Sequence, residues 1–157
     1  MTISEWFKII PPYACAQVGL FVLLATVLVL LRQWPSLRAW FVATRGQKSD
    51  LRPSTAVMLG LTTLEEVLLF VPRVIVGPWL PTVVLSLLHA ANFTGAPPLR
   101  VAFNLVPITA SFMVGAAAWE AVGGGGPGFA AALTMHMVWN GAVYMTTPRR
   151  QEELHAR

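Results

Sequence analysis

Between Thr55 and Val71 the chain runs almost wholly apolar, yet two adjacent glutamates, Glu65 and Glu66, sit at its middle. An ionisable side chain at the centre of a membrane helix costs about 2.5–3.5 kcal/mol on insertion scales. Two side by side are a burden that membrane stability alone does not explain. A helix that carries them must turn them toward other protein rather than toward lipid. The fold is thereby constrained to a bundle with a polar interior.

Composition agrees. Of 157 residues, 55% are hydrophobic and 11% charged, against about 25% charged in a soluble domain. The mean hydropathy is +0.62. The pattern predicts an all-α, polytopic membrane helix bundle forming a single domain over residues 1–157. About 20 apolar residues cross a bilayer. On that measure five spans are expected: Tyr13 to Leu31, about Ser54 to Val71, a short one from Trp79 to Phe93, Val101 to Val122, and Phe129 to Thr147. Met1 to Pro12 reads as an amphipathic lead-in, with Trp6 and Phe7 at interface-like positions. Pro72 and Arg73 are expected to end the second span, and Pro107 to kink the fourth. Residues 148–157 form a polar tail. The first apolar stretch is long enough to stay in the membrane rather than be removed as a signal peptide. The lone cysteine, Cys15, excludes an internal disulfide.

The net charge of +4 does not point to nucleic acid, because the basic residues cluster beside apolar runs. Arg32 to Arg52 holds five of them and, with Trp34, Trp40 and Phe41, suggests a piece lying along the headgroups. Placing this segment, Arg100 and the tail on the inside puts nine of the eleven basic residues there, as the positive-inside tendency requires. The amino terminus is then outside and the carboxyl terminus cytoplasmic. Ser111 and Gly115 form a small-xxx-small pair that would admit a neighbouring helix.

Helical rise tests whether the polar residues meet. Glu65 lies about 16 Å from the inner edge of its span, and His89 about 15 Å and His136 about 14 Å from the outer edges of theirs. All three fall near the middle of a hydrocarbon core about 30 Å thick. Asn140 follows His136 by four residues and shares its face. Glu65 and Glu66 point about 100° apart, so different roles are expected for them. A carboxylate and a histidine can hold and deprotonate a water molecule. A second histidine and an amide can donate to the oxygen of a carbonyl under attack. Such a set could hydrolyse a peptide bond in or beside the membrane.

Three blocks in order carry a resemblance: Leu64-Glu65-Glu66, then Leu85-Ser86-Leu87-Leu88-His89-Ala90-Ala91-Asn92, then His136-Met137-Val138-Trp139-Asn140. They resemble the CAAX protease and bacteriocin-processing (CPBP, or Abi) family of intramembrane endopeptidases. Its pattern is E-E-x-x-x-R, F-x-x-x-H and H-x-x-x-N on successive core helices. The match spans roughly Thr55 to Tyr144. The resemblance implies Glu65 as base, His89 as its partner on the water, His136 and Asn140 as the oxyanion hole, and Glu66 as a supporting carboxylate. It also implies a membrane-tethered or lipidated protein substrate and a bacterial or archaeal plasma membrane. Two positions depart from the pattern. Phe70 stands where the family has arginine, and Leu85 where it usually has phenylalanine. Arg73, seven residues after Glu66 and past Pro72, is the nearest arginine and could reach back to Glu66 only if the helix bends there; it is expected instead to be an interfacial anchor.

Other readings compete. Glu65, His89 and His136 also make a His₂Glu set, a known catalytic zinc pattern, although H-E-x-x-H is absent. No metal cofactor is expected, with zinc on those three residues as the alternative. The glutamates, or His136 with Asn140, could instead be structural hydrogen-bonding pairs between helices. Thr62 and Thr63 are expected to bond back to their own helix. Glu120 is expected to face water, Asn92 and Asn104 to act as polar glue, and His155 to be inert. A non-catalytic peptide-binding or immunity protein on the same scaffold, and a proton-coupled carrier, are the rival functions.

Overall fold

The computed structural model describes residues 2–32, 54–93 and 98–146, and every regular element among them is helical. We number the helices α1 (Ile3–Arg32), α2 (Thr55–Val76), α3 (Trp79–Leu88), α4 (Pro98–Ala121) and α5 (Gly125–Thr146), with a 3-10 segment, His89–Phe93, continuing from α3. The expected headgroup segment, the polar tail with His155, and residues 94–97 lie outside the described residues. By length and composition one described helix is apolar enough to cross a membrane, α1 from Ile3 to Val27, whereas Trp79–Phe93 is apolar but shorter.

Two expected boundaries are corrected. The lead-in is not separate from the first span, because α1 runs unbroken through Pro11 and Pro12. Ile10 is buried with Ala118, Val122, Ala131 and Met135, and Trp6, Ile9 and Tyr13 pack around that cluster. That burial holds the helix together where two prolines remove backbone bonds. Likewise Pro72 does not end α2, which continues to Val76 and stops at Gly77, at φ +85°. The start of α2 is fixed by Ser54, whose hydroxyl accepts from the Val57 amide at 3.2 Å, a standard N-cap.

Helices α2, α3, α4 and α5 each pack on the next to form a ring, and α1 lies against α4 and α5. Small residues set the close approach of α4 and α5: Gly115, Ala116, Ala118, Ala131 and Ala132 are all buried. The glycine-rich turn between them needs positive φ at Gly123 and Gly124. Gly128 then presses on the Trp119 indole so closely that a Cβ would lie 2.7 Å from it. Helix α3 has 10 residues, about 15 Å of rise against about 33 Å for the 22 residues of α2. His89 caps its C-terminus.

On α2 and α3 the inward faces are largely polar and the outward faces apolar. The buried residues of α2 are Thr62, Glu66, Leu69 and Arg73, spaced as one helical stripe. Leu61, Leu64, Val67, Leu68, Val71 and Val74 of the same helix are exposed. On α3, Thr82 and Ser86 are buried while Leu80, Val84, Leu87 and Leu88 are exposed. Soluble proteins distribute these residue types the other way.

Candidate active site

The inward stripe of α2 meets His136 on α5 and Thr82 on α3. Glu66 is 1% exposed and accepts on both oxygens. Oε2 takes the Arg73 guanidinium, and Oε1 faces His136 Nδ1 at 3.1 Å. Arg73 also donates from Nε and Nη2 to Thr82 Oγ1, at 3.3 and 3.1 Å. Its guanidinium lies 5.6 Å from the Trp119 ring centre, within cation–π range. The reading of Arg73 as an interfacial anchor is therefore overturned: it is 2% exposed and bound to Glu66. The cause is the run of α2 through Pro72. Seven residues along a helix return to nearly the same face, and the two side chains together span the rise of about 10 Å. Phe70 does not substitute for an arginine; it packs edge-on against Trp119 and Phe129.

Glu65, one residue earlier, faces a different neighbourhood. Its Oε1 lies 3.5 Å from His89 Nε2 and its Oε2 3.3 Å from His136 Nε2. Its side chain is 27% exposed, against 15% for His89 and 5% for His136. His89 is aimed by its own Nδ1, which donates to the Leu85 carbonyl at 2.9 Å. Phe112 of α4 lies against both imidazoles, with ring centres 5.3 Å from His89 and 4.5 Å from His136. Each Nδ1 faces an acceptor and so carries the ring proton. In the neutral rings both Nε2 lone pairs then point at the Glu65 carboxylate, and all three groups are acceptors. A proton on either Nε2, which makes that contact an ion pair, or a donor brought by another molecule completes such a site.

Asn140 is half-buried one turn beyond His136. Its Nδ2 donates to Thr62 Oγ1 at 2.8 Å. The structure thus joins Glu65, Glu66, His89, His136 and Arg73 into one network and holds Asn140 beside it through Thr62. Thr62 and Thr63 do bond back, to the Met58 and Leu59 carbonyls at 2.8 and 2.9 Å. Glu120 and Asn92 are exposed. Glu66, Ser111, Phe112, Gly115, Ala132 and His136 close around a crevice behind the site that leaves no room for a water molecule.

Among the described residues no group of three or more His, Cys, Asp or Glu is arranged to hold a metal ion. His89 and His136 approach different oxygens of Glu65, at 3.5 and 3.3 Å. Sequence reasoning missed Thr82, Ser86 and Phe112. The spacing of Thr82, Ser86 and His89 is a helical face and was a usable signal; nothing local marks Phe112 among its apolar neighbours. Comparisons with protein-family models, curated proteins and solved structures returned no match to this chain.

Proposed function

We propose that the chain is an intramembrane endopeptidase of the CPBP type, acting on a membrane-tethered or lipidated protein near its C-terminal part. CAAX-type cleavage and the removal of a sorting tail or propeptide both suit the site. The observation that carries this reading is the Glu65 carboxylate set between two Nε2 atoms at 3.3 and 3.5 Å, at the accessible edge of an otherwise sealed polar interior. The three sequence blocks support it independently. The apolar exterior supports a ring that crosses a bacterial or archaeal plasma membrane, with about five spans, the amino terminus outside and the carboxyl terminus cytoplasmic.

In this mechanism Glu65, with His89, takes a proton from water. The oxygen attacks the substrate carbonyl carbon, and the carbonyl oxygen becomes an oxyanion. Asn140 donates to that oxyanion from Nδ2, and His136 donates from Nε2 in the doubly protonated form, which it holds between the two glutamates at the start of the cycle and keeps to its end. As the C–N bond breaks, the proton held by Glu65 passes to the leaving amine. Glu66, neutralised by Arg73, keeps His136 Nδ1 engaged throughout. No step requires a metal.

Membranes carrying the wild-type chain or Glu65→Gln, at matched levels, test the reading. Mass spectrometry of protein C-termini is expected to find cuts that the variant lowers by about 10²- to 10⁴-fold. His89→Ala and His136→Ala are expected to act in the same direction, and a chelator to leave the cuts unchanged. Loss of cutting with chelator and its return with zinc would favour the zinc set instead.

The buried Glu66–Arg73–Thr82–His136 network is complete without a substrate, which favours one second reading, a membrane protein that binds a peptide or serves in immunity without cutting it. That reading expects the biological effect to survive Glu65→Gln.

A further inference from the structure

We propose that Thr62 is a positioning residue, one that fixes which face of the Asn140 amide is offered to the substrate; this role rests on the endopeptidase reading. A threonine hydroxyl has a single hydrogen to donate. In Thr62 it goes to the Met58 carbonyl, at 2.8 Å. The oxygen is left able only to accept. Whatever Asn140 turns toward it at 2.8 Å must therefore donate. That selects Nδ2 over Oδ1, because the flipped amide would set two acceptors against each other. One Nδ2 hydrogen is used by Thr62, and the second remains for the substrate oxygen.

The placement repeats a device found one turn away. Beside the site, helices α2 and α5 are joined by two rungs, Glu66 to His136 and Thr62 to Asn140, with Thr55 to Tyr144 joining them further along. The partners are four residues apart on each helix, so the rungs lie on matching faces. In each rung the α2 residue is itself committed elsewhere: Glu66 to Arg73, and Thr62 to the Met58 carbonyl. Both proposed oxyanion donors are thus oriented from α2 by a side chain that cannot turn away freely. Thr62 is 1% exposed. Its neighbour Thr63 makes the same back-bond to Leu59 but is exposed, which makes it an internal control.

The test uses the full chain in the native host deleted for its own copy, at matched membrane levels. The rate of Glu65-dependent cutting is followed by pulse labelling and analysis of new protein C-termini. Thr62→Val keeps the shape and removes the hydroxyl. It is expected to slow cutting roughly 10- to 100-fold, the scale of a misplaced catalytic group. Thr62→Ser is expected to stay close to wild type and Thr63→Val to match it. Asn140→Ala and the double variant Thr62→Val/Asn140→Ala are expected to be equally slow, since both residues act through one amide. If Thr62→Val fails to accumulate, Thr62→Ala takes its place. Full-rate cutting by the hydroxyl-less variant, no rescue by serine, or losses that multiply in the double variant would each overturn the role of Thr62 alone. Absence of any cut that depends on Glu65 would overturn the endopeptidase reading and this role with it.

Discussion

Glu65 and Glu66 are neighbours in the chain, yet they sit in two different electrostatic settings. Glu66 is sealed, with a guanidinium on one oxygen and an imidazole on the other. Glu65 is reached from outside, and its two imidazole contacts, at 3.3 and 3.5 Å, are longer than charge-assisted hydrogen bonds of about 2.7–2.9 Å. One carboxylate is fully committed and the other is open to a further partner. The difference arises from the rotation of about 100° between successive residues, which sends one side chain along the inward stripe and the other toward its edge. A pair of identical side chains thus divides into a structural anchor and a reactive group without any change in sequence chemistry.

Stability measurements can break this division. Arg73→Met leaves Glu66 buried without its cation, and the loss is expected to be about 3–5 kcal/mol, read by thermal unfolding in detergent micelles. Restoring neutrality with Glu66→Gln on that background should recover part of it, because the uncompensated charge is gone. Thr82→Val removes two donors' acceptor from Arg73 while keeping the pair, with an expected loss of about 1.5–3 kcal/mol. Glu65→Gln, despite sitting one residue away from Glu66, should shift stability by less than about 1 kcal/mol, the scale of a partly exposed ion pair. A large loss there, comparable to that of Arg73→Met, would erase the distinction between the two carboxylates. Smallest of all, Leu68→Ala on the exposed face of α2 should change unfolding in detergent by less than about 0.5 kcal/mol.

The helices were legible because their apolar runs are long and their breaks are marked by glycine, proline and charge. The meeting of Glu65, His89 and His136 was legible because helical rise alone places them at one level. Two prolines misled in the same way. Pro12 and Pro72 read as boundaries, but tertiary packing carried both helices onward, through Ile10 in one case and Arg73 in the other. The burial of Arg73 was therefore hidden: its face could be computed, but whether the helix would persist to deliver it could not. Asn140 shared its face with His136 as expected, yet its partner, Thr62, was read only as a local back-bonder. A hydroxyl that donates within its helix can still accept from another, and sequence spacing within one helix carries no trace of that second contact.

The brevity of α3 has a consequence for how this architecture can vary. His89 is carried at the end of a 10-residue helix rather than in the middle of a long one, so the count of residues from Trp79 to Leu88 works as a ruler. One inserted residue would advance the imidazole by about 1.5 Å and swing it by about 100°, out of reach of Glu65. Extra length at the far end of α4 or in the glycine turn would leave that spacing untouched. The same arithmetic refuses an insertion between Glu66 and Arg73 or between His136 and Asn140, and α3 has the fewest residues over which to absorb one.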